Sequence, residues 1–155
     1  MLLLPALRSR PALLDRARNL ATHPHRWPAQ PRFDPDRRWY SRISAEPDAE
    51  AWLLTWLPGQ STSWHDHGGS AGAVAIVAGA LTEEVWRPGG PTRRVLAPDE
   101  GRGFGAHHVH RLVNAGGEPA ISVHVYAPAL TEMRRYELTG DVLRPVAWER
   151  AGVDW

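Results

Sequence analysis

The stretch WHDHGGS, residues 64–70, places two histidines one residue apart and follows them with small turn-forming residues. Because residues two apart on a β-strand project from the same face, we expect His65 and His67 to present their imidazole rings side by side. Neutral imidazole is the commonest protein ligand for metal ions near physiological pH. The stretch therefore predicts part of a metal site rather than two surface histidines beside a turn.

A third candidate ligand lies well downstream, in the stretch GAHHVHRLVN at residues 105–114. A metal site assembled by folding draws its ligands from separate stretches such as these. The spacing of glycines and histidines in both stretches resembles the two-part cupin signature, G-x5-HxH-x4-E-x6-G followed later by H-x3-N. Cupins are small double-stranded β-helix barrels that hold a metal ion inside, so the resemblance implies an all-β, jelly-roll fold. The matching residues are Gly59, His65, His67, Gly79, His110 and Asn114.

This sequence departs from the signature at one position, where Gly72 stands in place of the motif glutamate. That glutamate is often a fourth metal ligand in cupins. Three neutral histidines leave a divalent metal with its full charge and with open positions, an arrangement that favours an anionic substrate. Such a site differs from the iron site of two histidines and one carboxylate, and zinc with three histidines and a water also fits the ligands.

The composition of the 155-residue chain fits one turn-rich β domain. A chain of this length buries about 70% of its unfolded surface on folding, and 14 prolines with 14 glycines suit many turns. The absence of cysteine excludes disulfides, thiolate ligands, iron–sulfur clusters and a cysteine nucleophile. The apolar run at residues 1–4 is too short for a secretion signal or a membrane span, so we expect a cytoplasmic protein.

Short apolar segments separated by glycine and proline indicate a β-barrel or sandwich from residue 38 onward. We predict a single domain over residues 1–155, with a helical segment and an extended wrap in 1–37, the barrel in 38–140 and an edge strand or tail in 141–155. The glycine-rich residues 101–105 are interpreted as a turn. The predicted strands cover residues 38–44, 50–57, 73–78, 81–86, 92–96, 107–113, 120–126 and 134–138.

Apolar residues recur at helical spacing in residues 11–21, which predicts an amphipathic helix. We expect this helix to cover one end of the barrel. Residues 22–36 contain four prolines and are predicted to form an extended wrap. His23 and His25 also form an HxH pair in this wrap, but Pro24 separates them and no strand pattern surrounds them, so they are interpreted as loop residues.

Two further motifs place polar side chains on predicted strands. Tyr40 and Arg42 alternate on the first strand. Ser122, His124 and Tyr126 alternate on a late strand, which puts all three side chains on one face. Polar residues at every second position of an apolar strand line the inside of a barrel, where buried polar groups must be hydrogen-bonded or in use. They form either a structural hydrogen-bond chain or an outer shell around a metal and a substrate.

Together with the HxH pair, these motifs resemble the cysteine dioxygenase type I family of cupin thiol dioxygenases. The resemblance extends from about residue 38 to residue 136 and includes the family patterns Y-x-R, HxH, H-R-x-x-N and S-x-H-x-Y. It implies a mononuclear Fe(II) ion bound by His65, His67 and His110. His110 is followed by the Arg and Asn of the family pattern, whereas His107 and His108 are not. These two are interpreted as strand or loop residues, with the alternative that one of them lies just behind the metal ligands.

The resemblance also implies a reaction and a set of roles. An L-cysteine substrate would bind the iron through its thiolate and amine, and both atoms of O2 would be transferred to sulfur to give a sulfinic acid. Arg42, beside Tyr40, would pair with the substrate carboxylate through its bidentate guanidinium. Tyr126 would hydrogen-bond near the oxygen and the thiolate, oriented by His124, with Ser122 behind it.

One family feature is missing from this sequence. Animal members carry a Cys–Tyr thioether beside the iron, and its Cys position corresponds to Gly72 here. We therefore expect Tyr126 to be unmodified, as in bacterial members that have Gly at this position. The crosslink affects efficiency more than the class of reaction, so the expected reaction is unchanged.

Other functions share parts of this pattern. A dioxygenase of another small thiol acid such as 3-mercaptopropionate typically carries Gln where Arg42 stands, and a related oxygenase could give a different product from cysteine. A metal-dependent cupin isomerase usually retains the carboxylate that Gly72 lacks, and a ligand-binding cupin would have no activity. A net charge of +1 indicates neither a nucleic-acid nor a membrane partner. We expect a small thiol and O2 as partners, and a monomer or weak homo-oligomer.

Overall fold

The computed structural model describes residues 8–150 of the chain. The predictions that concern residues 1–7 and 151–155, including the apolar run at residues 1–4, lie outside the described residues. The described part folds into one α-helix, a short 3-10 helix and eleven strands. Their bounds are α1 Arg10–Ala21, the 3-10 helix Pro24–Arg26, β1 Tyr40–Glu46, β2 Ala49–Trp56, β3 Trp64–His65, β4 Ala71–Ala78, β5 Leu81–Val85, β6 Thr92–Leu96, β7 Gly101–Phe104, β8 His110–Val113, β9 Ala120–Ala127, β10 Glu132–Thr139 and β11 Val142–Arg150.

The strands form two antiparallel sheets that pack against each other. The five-stranded sheet has the order β1-β2-β9-β4-β7, and the six-stranded sheet has the order β11-β10-β3-β8-β5-β6. The chain crosses repeatedly from one sheet to the other, because β4, β7 and β9 belong to the first sheet whereas β5, β8 and β10 belong to the second. This arrangement confirms the predicted all-β jelly roll.

The space between the sheets holds the inner core. Alternation along each strand sends every second side chain inward, so that apolar residues from both sheets meet in one buried cluster. The side chain of Trp56 on β2 is fully buried there, and it packs with Leu81 and Leu112 from the opposite sheet. This cluster surrounds the polar residues of the site and keeps bulk water away from them.

Helix α1 lies on the outer face of the five-stranded sheet, and not at the end of the barrel where the sequence places it. The hydroxyl oxygen of Ser9 caps the helix by accepting a hydrogen bond from the Ala12 backbone N–H at 3.3 Å, and a proline occupies its first turn. The buried face of the helix packs on the outward-facing apolar residues of β2, β4 and β9. The prediction of an end lid was wrong because that sheet has an apolar outer face that needs a cover.

Strand β7 occupies the stretch that the sequence predicts to be a turn, and its glycines explain the difference. A Cβ on Gly101 would lie 2.6 Å from Leu14 Cδ1, and a Cβ on Gly103 would lie 2.6 Å from the Arg10 carbonyl oxygen. These glycines are therefore required because α1 packs directly on the strand. A contact between distant parts of the chain, rather than a local turn preference, determined the composition of this stretch.

Two further boundaries differ from the predictions. Strand β3 ends at His65, so His67 lies in the following loop, and β8 begins at His110 rather than at residue 107. The C-terminal segment forms a strand, β11, that pairs with β10.

The Ala127–Pro128 peptide bond after β9 is cis. Within residues 8–150, no helix is both long and apolar enough to cross a membrane.

Candidate metal centre

Three histidines converge between the sheets. His65 on β3 is paired directly with His110 on β8, and their ring centroids are 4.7 Å apart. The ring of His67 approaches both, with centroid distances of 4.9 Å and 5.0 Å. One ring nitrogen from each histidine lies within 4.8 Å of the other two, and all three residues are buried. The structure thus brings together the three ligands that the sequence predicted.

Two of these rings are oriented by fixed hydrogen bonds. His65 Nδ1 lies 2.8 Å from the Ser63 carbonyl oxygen, and His110 Nδ1 lies 2.8 Å from Glu83 Oε2. Both acceptors require a hydrogen on Nδ1, which leaves the Nε2 lone pair available for a metal. Burial is the main cause that lowers the pKa of His65 and of His110, although the Glu83 hydrogen bond opposes it at His110. Both rings are therefore neutral and can donate an electron pair from Nε2 to a metal ion.

His67 provides the clearest sign that the site holds an ion. Both of its ring nitrogens are buried, and neither has a hydrogen-bond partner within residues 8–150. Burying an unpaired polar group costs about 1–3 kcal/mol. Burial, followed by the nearby histidines, lowers the pKa of His67 well below its usual value, so its lone pair is also available. A metal at the centre of the three rings would satisfy this histidine.

The loop between the ligands is held by Asp66. Its Oδ1 accepts hydrogen bonds from the backbone N–H of Gly68 at 3.1 Å and of Arg134 at 3.2 Å. Its Oδ2 accepts one from the Tyr136 hydroxyl at 2.7 Å. Gly68 adopts a φ of 57°, a conformation that glycine tolerates best. These contacts fix the turn that carries His67 inward although it lies beyond the end of the strand.

The space of the missing motif carboxylate is occupied by an aromatic ring. A Cβ on Gly72 would lie 2.6 Å from Phe104 Cζ and 2.8 Å from the Val125 carbonyl oxygen. Phe104 stacks on His67 with a centroid distance of 4.7 Å and an interplanar angle of 25°. A carboxylate at position 72 could therefore not reach the histidines unless Phe104 moved.

A carboxylate is nevertheless present directly behind His110, on Glu83 of β5. It is fully buried, and besides His110 it contacts His108 Nε2 at 3.3 Å and Arg102 Nε at 2.7 Å. Burial alone would raise the pKa of Glu83, but hydrogen bonds from His108 and His110, with the charge of Arg102, lower it to about 2. Glu83 is an anion that orients His110.

Glu83 is not among the site residues predicted from the sequence, and the sequence signal for it is weak. Glu83 alternates with Leu81 and Val85 on a strand whose other inward residues are apolar, so it was a charged residue in a core position. His108 also belongs to this cluster, whereas His107 is exposed. Glu83, His108 and His110 could together hold an ion, but the guanidinium of Arg102 already neutralises the carboxylate.

A small cavity opens beside the three histidines, with a volume of about 90 Å³. Typical pockets for drug-sized ligands are several times larger. Both sheets contribute to its wall, so a bound molecule would touch the ligand histidines on one side and β1, β2 and β9 on the other. It is lined by Arg38, Tyr40, Trp52, Leu54, Thr62, His65, His110, Leu112, His124, Tyr126, Leu130, Met133 and Arg135.

The predicted polar strand forms a hydrogen-bond chain that ends in this cavity. Trp56 Nε1 donates to Ser122 Oγ at 2.9 Å, Ser122 Oγ lies 2.7 Å from His124 Nε2, and His124 Nδ1 lies 3.4 Å from the Tyr126 hydroxyl. Within residues 8–150, His124 Nε2 is the acceptor available to the Ser122 hydroxyl hydrogen. His124 Nδ1 then carries the hydrogen and donates to Tyr126, whose own O–H is left to point into the cavity.

The charge states of this chain follow from burial. Burial is the main cause that lowers the pKa of His124, to about 3, so its ring is neutral. Burial also raises the pKa of Tyr126, and the nearby Glu50 raises it further. The phenol therefore remains protonated near neutral pH and can act as a hydrogen-bond donor.

Arg42, the residue that the sequence assigned to a carboxylate, does not line the cavity. Its side chain is exposed, and its guanidinium carbon lies 5.5 Å from the Trp52 ring centroid. It is the indole of Trp52 that faces the cavity. Tyr40 does line the cavity, although it is 47% exposed. The arginines in the cavity wall are Arg38 and Arg135, which the sequence did not single out.

Comparison with known proteins agrees with the sequence motifs and the fold. The family model described as cysteine dioxygenase type I matches residues 14–139. A solved structure from Thermus thermophilus is 24% identical, with a TM-score of 0.58 over 64% of this chain and 90% of that chain. A cupin superfamily protein from Desulfitobacterium hafniense is 13% identical, with a TM-score of 0.54 over 63% of this chain and 83% of that one.

A third similar structure carries a different function in its description. This protein from Silicibacter pomeroyi is described as a sugar phosphate isomerase from a cupin superfamily. It is 19% identical, with a TM-score of 0.56 over 77% of this chain and 80% of that chain. Likeness at this level of identity shows the cupin fold alone, since one fold hosts many reactions. The match to the family model is what distinguishes among them.

Proposed function

Because the chain belongs to the cysteine dioxygenase type I family, we propose that it is a mononuclear non-haem Fe(II) thiol dioxygenase that oxidises L-cysteine with O2 to cysteine sulfinic acid. The observation that carries the proposal is the convergence of three neutral imidazoles, two of which line a small cavity that also contains a tyrosine hydroxyl and arginines. A cavity of about 90 Å³ suits a thiol acid of a few heavy atoms better than a sugar.

The donor set of the site fits the metal of this proposal. His65, His67 and His110 would hold the ion through one nitrogen each, and the unpaired ring of His67 would gain its missing partner. Imidazole suits iron as well as zinc or copper, so the choice of Fe(II) rests on the family. When bound, Fe(II) supplies the coordination positions and the redox chemistry through which a thiolate reacts with O2.

The overall reaction is balanced without a further reductant. A thiol and one O2 give one sulfinic acid, so the sulfur loses four electrons and the O2 gains four. The chain needs only to bind the thiol, orient it and exclude water. The apolar wall residues of the cavity, such as Leu54, Leu112 and Leu130, serve the last purpose.

Tyr126 is proposed to act on the reacting groups as a hydrogen-bond donor. Its hydroxyl hydrogen points into the cavity because His124 donates to its oxygen, and its raised pKa keeps it protonated. His124 and Ser122 hold this orientation without contacting the substrate. Tyr40 would contact the substrate from β1, since it lines the same cavity. These roles remain as the sequence predicted them.

The test is O2 uptake by anaerobically Fe(II)-loaded protein after addition of L-cysteine or 3-mercaptopropionate, with the product identified by mass spectrometry. We expect rapid uptake with L-cysteine and a product heavier by two oxygen atoms. With 18O2 as the oxidant, both oxygens of the sulfinate are expected to carry the label.

The other outcomes separate the remaining alternatives. A faster reaction with 3-mercaptopropionate would assign the enzyme to another thiol acid, and a different product from cysteine would identify a divergent cysteine oxygenase. Absence of uptake with either thiol, despite bound iron, would refute the dioxygenase proposal and leave an isomerase or a ligand-binding protein. A cytoplasmic location and a monomer or weak homo-oligomer stay predictions.

A further inference from the structure

His67 differs from the other two candidate ligands in how its ring is held. His65 and His110 are each fixed by a hydrogen bond at Nδ1, whereas within residues 8–150 neither ring nitrogen of His67 has a hydrogen-bond partner. Ligand histidines are usually oriented by a hydrogen bond at the nitrogen that does not bind the metal. His67 also lies beyond the end of β3, so the orientation of its ring must come from packing.

Phe104 on β7 stacks on the ring of His67 and also on a second imidazole, that of His108. The centroid distances are 4.7 Å and 4.8 Å, and the interplanar angles are 25° and 13°. Tyr126 contacts His67 as well, but at 5.2 Å and with a tilt of 31°. A stacked ring opposes rotation of its neighbour, because turning the neighbour out of its plane would make the two rings collide.

Gly72 leaves the space in which the Phe104 ring lies. The pairing of β4 with β7 sets Gly72 directly opposite Phe104, and a Cβ on Gly72 would lie 2.6 Å from Phe104 Cζ. Phe104 is fully buried, so its ring is confined between the strand that carries Gly72 and the imidazoles on which it stacks. The stack therefore depends on the absence of a side chain at position 72.

The far end of the stack is anchored by Glu83. His108 Nε2 lies 3.3 Å from Glu83 Oε2, and the same oxygen lies 2.8 Å from His110 Nδ1. Because a carboxylate only accepts, both imidazoles donate to it. Glu83 thus holds His110 directly, and it also holds the ring of His108 that packs on Phe104. One buried carboxylate is connected in this way to two of the three candidate ligands.

We propose that Phe104 is the positioning residue of His67. The stack of His67, Phe104 and His108, anchored on Glu83, takes the place of the hydrogen bond that His67 lacks and turns its ring toward the other two ligands. This inference rests on the metal site of the proposed function, but not on its substrate or reaction. It also gives His108 a role, since this residue links the stack to the carboxylate.

Four single substitutions test the assignment. Phe104→Leu removes the aromatic face but leaves a buried apolar side chain. His108→Leu removes the second ring of the stack, and His108→Phe keeps a ring there without the hydrogen bond to Glu83. Leu96→Ala is the control, because Leu96 is fully buried in the same core cluster as Phe104 and is not among the residues that line the cavity.

Two measurements that do not involve turnover serve as readouts. The first is the Kd for Fe(II), obtained by anaerobic competition with a chelator. The second is the visible absorption spectrum of the Co(II)-loaded protein, which depends on the number and arrangement of the metal ligands. A change that merely loosens the core lowers the melting temperature without altering this spectrum.

Phe104→Leu is expected to raise the Kd for Fe(II) roughly 10-fold, the scale on which the partners of a metal ligand act, and to change the Co(II) spectrum. His108→Leu should raise the Kd about 3-fold, and His108→Phe should lie closer to the wild type. Leu96→Ala should lower the melting temperature at least as much as Phe104→Leu, because it leaves a larger cavity, but should keep the wild-type Kd and spectrum. The two His108 variants provide the same comparison if Phe104→Leu does not fold.

Two results would overturn the inference. A wild-type Kd and spectrum in Phe104→Leu would mean that the ring only fills the space beside Gly72. An equal rise in Kd for Leu96→Ala would assign the effect to loosening of the core. The proposed function fails in a different way, through absence of O2 uptake by the iron-loaded wild type. In that case, the Kd and the Co(II) spectra still decide whether Phe104 positions His67.

Discussion

The two walls of the cavity keep their polar side chains in place by different means. On the six-stranded wall, His65 and His110 are each tied through Nδ1 to an acceptor that faces away from the cavity, which leaves Nε2 toward it. On the five-stranded wall, Ser122, His124 and Tyr126 are tied to one another along a single strand. The first wall thus presents imidazole lone pairs to the cavity, and the second presents the Tyr126 hydroxyl.

The difference also concerns distance along the chain. The anchor of His110 is Glu83, 27 residues earlier in sequence and on another strand. The residues that hold Tyr126 lie two and four positions before it, and Trp56 joins their hydrogen-bond chain from a different strand. The six-stranded wall therefore depends on the pairing register of β5 with β8, whereas the five-stranded wall depends mostly on the alternation of one strand.

The largest effect is expected from His67, the proposed ligand whose ring nitrogens have no hydrogen-bond partner within residues 8–150. His67→Leu should abolish stoichiometric metal binding, measured by elemental analysis of purified protein after anaerobic loading. The melting temperature of the metal-free variant should equal or exceed that of the metal-free wild type, because leucine removes two buried nitrogens without partners. A metal-free variant that melts well below the wild type would show that the ring has a structural role instead.

A smaller effect is expected from Glu83, the hydrogen-bond partner of His110 on the six-stranded wall. Glu83→Gln keeps the size of the side chain but removes the charge that orients His110 and pairs with Arg102. We expect the affinity for Fe(II), measured by competition with a chelator, to fall roughly 10- to 100-fold. The kcat of the fully loaded variant should change less than the affinity.

Glu84→Gln on the same strand is the matched control. Glu84 pairs with Arg111 at 3.2 Å on the partly exposed side of the sheet and does not touch a ligand histidine. A surface pair of this kind contributes little to stability, so the variant should bind metal as the wild type does. Equal loss of affinity in both variants would mean that overall destabilisation, rather than orientation of His110, causes the effect.

These contrasts explain how much of the site could be predicted from the sequence. The ligands and the polar strand were predictable because each follows a local spacing, two residues on a strand or a family motif. Glu83 was not, because its partner is brought close only by the pairing of β5 with β8. The turn predicted at residues 101–105 is strand β7 for a similar reason, since its glycines accommodate α1.

The positions of Arg38 and Arg42 show a further limit of sequence patterns. Arg38, Tyr40 and Arg42 alternate on one face, so the pattern alone cannot tell which of them meets the cavity. The pairing of β1 with β2 sets Arg42 opposite Trp52, and the indole takes the place nearest the cavity. Alternation along a strand predicts which face of the sheet a side chain occupies. Only the pairing register predicts which side chain on that face lies next to the cavity.

The smallest effect is expected on the five-stranded wall, from Ser122→Ala. Without the Ser122 hydroxyl, His124 Nε2 loses its donor, so the ring gains freedom to carry its hydrogen on Nε2 instead of Nδ1. Nδ1 would then accept from Tyr126 and turn that O–H away from the cavity. We expect kcat with L-cysteine to fall by up to about 10-fold with little change in KM, the size of one weak hydrogen bond.

The tautomer itself can be observed without turnover, and it separates this mechanism from simple loss of stability. In 15N NMR spectra of the zinc-loaded protein, His124 should carry its hydrogen on Nδ1 in the wild type and shift toward Nε2 in Ser122→Ala. Thr55→Val is the control, since it removes a buried hydroxyl that bonds the Arg32 carbonyl oxygen on the opposite face of the same sheet. It should leave both kcat and the tautomer unchanged. If Ser122→Ala slowed the reaction while His124 kept its hydrogen on Nδ1, the serine would not act by setting the direction of the hydrogen bonds. Tyr126 would then be held by the surrounding packing alone.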